Sequence, residues 1–195
     1  MSFSLWGHNW RIDGPWGAPG GGTFQPSNVF PLPDALVLQM TQSSAGSSDA
    51  EVISASTFGY GTFSYTAAVY PVQSGQVASG FLYINNSQTE IDVEQTGNNP
   101  NAVWLTNYSG VSNKQYSEVA GYPQGQFHTF KFTWKPGEIL YYADGNLVAT
   151  HTQDVPSTPA YFLFNFWGTN STSWGGTMTP GTRFMFVTNF SYQPL

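Results

Sequence analysis

No stretch of a dozen residues keeps a 3.6-residue apolar period clear of glycine or proline, so this chain has no place for a long helix. What recurs instead is alternation cut short by turns. Residues 62–72 place Phe63, Tyr65, Ala67 and Val69 on one face. Residues 127–134 place Phe130, Phe132 and Trp134 together, Pro136-Gly137 turns the chain, and Ile139-Leu140-Tyr141-Tyr142 follows. Asp144-Gly145 then predicts a hairpin onto Leu147-Val148-Ala149-Thr150. Residues 36–40, 161–167 and 184–192 read as further strands. Many short strands between Gly, Pro and Asn turns predict an all-β antiparallel sandwich or jelly roll. Residues 14–34, rich in Gly and Pro, are expected to wrap an edge as loop, and residues 43–48 to form a surface loop. No repeat or linker divides the chain, so residues 1–195 are read as one domain.

A surface built this way needs polar groups, yet charged residues make up only 8% of the chain. Ser, Thr, Asn, Gln and Gly must carry its solubility, and aromatics reach 17%. Hydroxyl, amide and aromatic groups suit neutral polyhydroxylated ligands, and they suit a plain secreted β-protein equally well. Five Lys and Arg against a net charge of −6 leave no basic footprint for nucleic acid or an anionic membrane. No apolar run reaches the roughly 20 residues of a membrane span. Met1-Ser2-Phe3-Ser4-Leu5-Trp6 has neither the basic start nor the apolar run of a signal peptide. A processed secreted form begins like this, and so does a cytosolic protein; secretion is the expectation carried forward, the signal peptide not being present in this chain. Zero Cys excludes disulfides and thiolate metal sites. His8, His128 and His151 show no ligand spacing, no metal-binding residues are assigned, and His128 is read as a structural hydrogen-bonder.

Against that neutral background, Glu90-Ile91-Asp92-Val93-Glu94 stands out. In a strand, Glu90, Asp92 and Glu94 share one face while Ile91 and Val93 enter the core. Like charges raise one another's pKa and add nothing to packing, so a fold seldom collects them for stability alone. A solvated strand face remains the plain alternative, although three of only eleven acids fall here. The outer Cα atoms of such a segment lie about 13 Å apart. Two glutamates leaning together on a curved sheet reach the roughly 5–5.5 Å of a retaining glycosidase, one attacking the anomeric carbon and the other protonating the leaving oxygen. Asp92 between them can hydrogen-bond one neighbour and help keep an acid protonated. The segment alone does not assign which glutamate is which.

The segment resembles the E-x-D-x-E signature of glycoside hydrolase family 16, the clan of lichenases, laminarinases and xyloglucan transglycosylases. Phe58-Gly59-Tyr60-Gly61-Thr62-Phe63 is similar to the Y-G-Y-G stretch upstream of it. Phe127-His128-Thr129-Phe130, Trp134-Lys135-Pro136-Gly137 and Tyr142-Ala143-Asp144-Gly145 resemble the F-H-T-Y, W-x-P-G and Y-x-D-G runs of bacterial lichenases, as do residues 156–159 and Asn165-Phe166-Trp167. The likeness covers roughly residues 50–192; residues 1–49 match only loosely. It implies a concanavalin A-like β-jelly-roll sandwich of two curved antiparallel sheets with an open cleft. It implies Glu90 as nucleophile, Glu94 as general acid/base and Asp92 as helper. The single spacer Val93 is lichenase-like, where laminarinases usually carry two residues, and the Cys-containing extension of the xyloglucan enzymes is absent. Mixed-linkage β-1,3-1,4-glucan is thus the expected partner, met by a monomer.

The likeness further lines up Tyr83, Tyr108, Trp167 and Trp174 with sugar-facing aromatics, and Glu51 and Asn165 with polar cleft residues; Trp104 and Trp134 are assigned to the core or the opposite face. Four departures stand beside it. Gln88-Thr89 replaces Trp-Asp before the motif, Ile53 replaces an Arg, the N-terminal Cys pair is missing, and Thr188 or Asn189 occupies the place of an Asp that helps bind structural calcium. No cofactor is required for the chemistry, and calcium stands in doubt. The competing readings are a sugar-binding module on the same fold and a transglycosylase using the same covalent intermediate.

Overall fold

The computed structural model describes residues 1–195 apart from Asp13. Seventeen strands occupy the described residues. The first are β1 (Ser2–Leu5), β2 (His8–Arg11), β3 (Trp16–Gly17), β4 (Thr23–Phe24), β5 (Val29–Pro31) and β6 (Leu36–Ser43). Then come β7 (Gly46–Phe58), β8 (Gly61–Tyr70), β9 (Gln76–Ile84), β10 (Thr89–Thr96), β11 (Ala102–Tyr108) and β12 (Lys114–Ala120). The chain closes with β13 (His128–Lys135), β14 (Glu138–Ala143), β15 (Asn146–His151), β16 (Ala160–Gly168) and β17 (Gly181–Pro194).

They form a jelly-roll sandwich. One sheet runs β1-β2-β7-β16-β9-β10-β11-β12. The other runs β5-β6-β17-β8-β13-β14-β15. The long strand β7 belongs to both: its first residues pair with β6, and its later ones with β16 and β2. All pairings are antiparallel except β4 with β7, a departure from the fully antiparallel expectation. Between the sheets, Phe63 of β8 stacks on Phe132 of β13 at 4.9 Å and on Phe162 of β16 at 5.8 Å. Trp134 is fully buried there, as expected, with its indole N–H donating to the Pro156 carbonyl at 2.9 Å. His128 is structural too: its ring nitrogens face the Asp144 carboxylate at 2.7 Å and the Pro123 carbonyl at 2.9 Å.

The expected turn at Asp144-Gly145 forms with φ values of 48° and 84°, the conformation a type I′ hairpin needs. Two expectations are corrected. Residues 43–48 are no loop: Ser43 pairs with Gly46, and only Ser44-Ala45 turns the β6–β7 hairpin. Residues 14–34 do lie along an edge, but as short strands β3, β4 and β5 with a 3-10 turn at Pro26–Asn28. The reach of this segment is set by Gly20, where a Cβ would come within 1.8 Å of the Gly168 carbonyl oxygen. Pro19 is thereby brought to the cleft wall.

Gly80 of β9 fixes the distance between the sheets beneath the acidic strand. A Cβ there would meet the Tyr65 ring at 2.5 Å, and the Tyr65 hydroxyl donates to the Val93 carbonyl at 3.4 Å. Gly80→Ala is therefore expected to destabilise the protein by roughly 1–3 kcal/mol through overpacking, read as a lower urea midpoint. An unchanged midpoint would show that Tyr65 is free to move away.

Candidate active site

Period-2 alternation on β10 does what the sequence requires of it. Ile91 and Val93 are buried in the core, and the three acids face the other way. Register then supplies their neighbours. Glu94 lies between Ser79 on β9 and Trp104 on β11, Asp92 between Phe81 and Thr106, and Glu90 between Tyr83 and Tyr108. The same rows continue across β16 and β7, where Ser79 pairs with Asn165 and Asn165 with Glu51.

The acids form the floor of a cleft with two lobes. One, of about 350 Å³, is walled by Glu51, Ser79, Phe81, Tyr83, Leu163, Asn165 and Trp167. The other, of about 300 Å³, is walled by Trp104, Thr106, Tyr108, Lys114, Tyr116 and Trp174. Each falls in the range of a small-molecule site. Trp174 packs against Trp167 with ring centroids 6.0 Å apart, so one aromatic pair spans both lobes. All nine residues expected from the sequence thus border one cleft. Trp104 does so as well, against its assignment to the core or opposite face: it shares the parity of Tyr108 on β11, and its ring stacks on Tyr116 at 6.1 Å.

Hydrogen bonding divides the carboxyls. The Ser79 hydroxyl donates to Glu94 Oε1 at 3.5 Å, and the Ser87 hydroxyl donates to Glu90 Oε2. Trp16 Nε1 donates to Glu51 Oε1 at 3.2 Å, and Asn165 Nδ2 to Glu51 Oε2 at 3.3 Å. Among the described residues no hydrogen bond joins Asp92 to either glutamate, contrary to the contact expected of it. Two buried polar atoms of the cleft, Asn165 Oδ1 and Trp104 Nε1, have no partner among the described residues. Phe81 and Ser79 were legible by stepping two and four residues back from Tyr83; Ser87 carried no such signal, because it sits in a turn.

Burial raises the pKa of all three acids. Glu94 is pushed up to about 8, first by desolvation and then by the charge of Glu90, with the Ser79 bond pulling the other way. Asp92 lies well above its ordinary value because it is buried between the two glutamates. Glu90 is also raised by burial, and the Ser87 bond opposes that rise. Glu94 therefore holds its proton up to about pH 8, beside a Glu90 carboxyl that has its own donor. That is the pairing of acid and nucleophile that glycoside cleavage needs.

The residues offered for calcium do not fit it. Thr188 is exposed, Asn189 gives its amide N–H to the Thr66 hydroxyl at 2.9 Å, and neither supplies the carboxylate that such hard-cation sites rely on.

Comparison with known proteins agrees with this geometry. The sequence profile of glycosyl hydrolases family 16 matches residues 21–182. A β-glucanase of Paenibacillus macerans is 34% identical over 164 residues, covering 79% of this chain and 68% of that protein. Among solved structures, a Bacillus licheniformis β-glucanase superposes with a TM-score of 0.82 at 26% identity, covering 95% of this chain and 92% of the other. A β-1,3-1,4-glucanase (lichenase) from a mouse hindgut metagenome gives a TM-score of 0.84 at 24% identity over 95% and 93% of the two chains, a likeness of fold.

Proposed function

This chain belongs to glycosyl hydrolases family 16 and is a lichenase-like glycoside hydrolase, and on that premise we propose that it is a retaining endo-β-glucanase cleaving mixed-linkage β-1,3-1,4-glucan. The observation that carries the reading is the acid triplet on the cleft floor, with Glu94 held protonated and Glu90 supplied with a hydrogen-bond donor.

In the first displacement Glu94 gives its proton to the glycosidic oxygen as the bond from C1 to that oxygen breaks, and Glu90 attacks C1 from the opposite face. Forming the glycosyl ester removes the negative charge of Glu90. That charge is one cause of the raised pKa of Glu94, so Glu94 is now content as a carboxylate. It takes a proton from water, the water oxygen attacks C1, and Glu90 leaves as a carboxylate. Asp92 acts through its field on both neighbours. The aromatic pair Trp167–Trp174 and Tyr83, Tyr108 and Trp104 offer ring faces to pyranose C–H groups. Asn165 Oδ1 and Trp104 Nε1 offer sugar hydroxyls an acceptor and a donor that have no partner among the described residues.

Two features support mixed-linkage glucan. The strand from Glu90 to Glu94 pairs without a register shift, as the single spacer Val93 requires, and the relatives named above are β-glucanases. A polymer of this kind does not cross a membrane, so the proposal places the enzyme outside the cell. Reducing-sugar release is expected to be fastest from barley mixed-linkage glucan and slower from laminarin and xyloglucan, with the β-anomer formed first by NMR. Preference for laminarin would move the assignment to a β-1,3-glucanase. Longer products in the presence of excess acceptor would make it a transglycosylase, and no release from any of the three would leave a binding module.

A further inference from the structure

The Glu90 carboxylate receives one hydrogen bond among the described residues, and it comes from a turn with an unusual backbone. Residues 85–88 connect β9 to β10, and Asn85, Asn86 and Ser87 among them have φ values of 46°, 51° and 61°. Three consecutive L residues in the left-handed region are rare; Asn tolerates it through local hydrogen bonds, Ser less so. Strain of this kind persists only where the surroundings impose it, and it gathers at functional sites. Here the surroundings are visible. The Gly110 N–H, in the turn between β11 and β12, donates to the Ser87 carbonyl at 2.7 Å. Gln88 N–H donates to the Asn85 carbonyl at 3.2 Å, and Asn85 Nδ2 to Gln88 Oε1 at 3.4 Å. The clamp holds Ser87 with its hydroxyl on Glu90 Oε2.

We infer that Ser87 is the positioning residue of the nucleophile, its hydroxyl fixing the Glu90 carboxylate through Oε2 so that Oε1 is the oxygen presented to the anomeric carbon. The inference rests on the reading of Glu90 as nucleophile. In the first displacement Oε1 bonds to C1 while the electron pair of the breaking bond goes to the leaving oxygen, which takes the Glu94 proton. In the second, water attacks C1, the C1–Oε1 pair returns to Glu90, and the Ser87 O–H stabilises the carboxylate as it forms.

Ser87→Ala and Ser87→Gly separate the hydroxyl from the turn. Both remove the donor, but only glycine accepts a φ of 61° freely. Both are expected to lower kcat by roughly ten- to one-hundred-fold, the range for a hydrogen bond to a charged group, with little change in KM. The acidic limb of kcat/KM should move to higher pH, because the lost bond was holding the Glu90 pKa down. Ser87→Gly should unfold at a temperature at or above that of Ser87→Ala. Titration of Glu90 by carboxyl 13C NMR on the free protein needs no substrate, and its midpoint should rise in both variants. A Ser87→Gly enzyme with the wild-type Glu90 midpoint and pH profile would overturn the inference. A wild-type chain inactive on every β-glucan, with a Glu90 midpoint that still rises on losing the hydroxyl, would overturn the nucleophile reading while upholding the contact.

Discussion

Glu90→Ala is expected to lose on the order of 10⁴–10⁶-fold in kcat on mixed-linkage glucan, the scale on which removing a covalent nucleophile is felt, while the fold survives. The survival follows from geometry: Glu90 faces the cleft, and the core side of its strand is carried by Ile91 and Val93. Removing the carboxylate also opens space beside the anomeric carbon. Azide supplied there attacks C1 once, from the face Glu90 occupied, so an activated β-glucoside should yield the α-glycosyl azide. In Glu94→Ala the ester on Glu90 still forms from an activated substrate, and azide attack on it is the second inversion, giving the β-azide. Reversed anomers would exchange the two roles; wild-type turnover by Glu90→Ala would remove Glu90 from the chemistry.

Glu94→Gln is expected to fail as an enzyme and to improve as a fold. Loss of the proton donor should lower turnover of the polysaccharide by about 10²–10⁴-fold, and far less for substrates whose leaving group needs no proton. The wild-type rate should fall as pH rises through about 8, where Glu94 loses its proton. Stability follows the same group. A carboxyl whose pKa is higher folded than unfolded contributes stability that is fully present below its unfolded pKa and lost as pH rises through the folded one. For Glu94 that window runs from its ordinary value of 4.5 to about 8, and the raised pKa of Asp92 and of Glu90 slopes the same way. Wild-type Tm should therefore decline from pH 5 to pH 8. Glutamine keeps the shape without the charge, so the decline should be shallower and the variant should melt higher at pH 8. Each kcal/mol of relief corresponds to roughly 2–4 °C in a chain this size. Parallel Tm curves for the two proteins would show that Glu94 is not held protonated by the fold.

Legibility followed the strength of local pattern. β8 and β13 read directly because bulky residues alternate on them, β14, β16 and β17 because they carry apolar runs, and Gly or Pro marks the ends of all five. β7 and β12 were missed for opposite physical reasons. β7 is filled with Ser, Ala and Asp and takes its place by joining both sheets, while β12 is an edge strand whose Lys114, Tyr116 and Glu118 remain at the surface. The first hairpin was missed because Trp6-Gly7, with φ values of 55° and 75°, is not a pair that advertises a turn. Trp104 was misplaced because its side of β11 follows from parity with Tyr108, and a large aromatic invites assignment to the core.

By itself the sequence determined a strand-and-turn chain with three acids on one face, because alternation and turn chemistry are local and charge is scarce elsewhere. The expectation of glucanase chemistry came from the wider likeness to glycoside hydrolase family 16 over residues 50–192, since the local pattern alone also allowed a solvated acidic face. Tertiary structure alone decided what surrounds those carboxyls: Ser79 and Trp104 beside Glu94, Ser87 on Glu90, and burial deep enough to raise the pKa of all three. Register across strands and the clamp from Gly110 to Ser87 join residues distant in sequence, and desolvation is a property of the whole sheet. Those are the terms that set these three acids apart from a solvated acidic strand face.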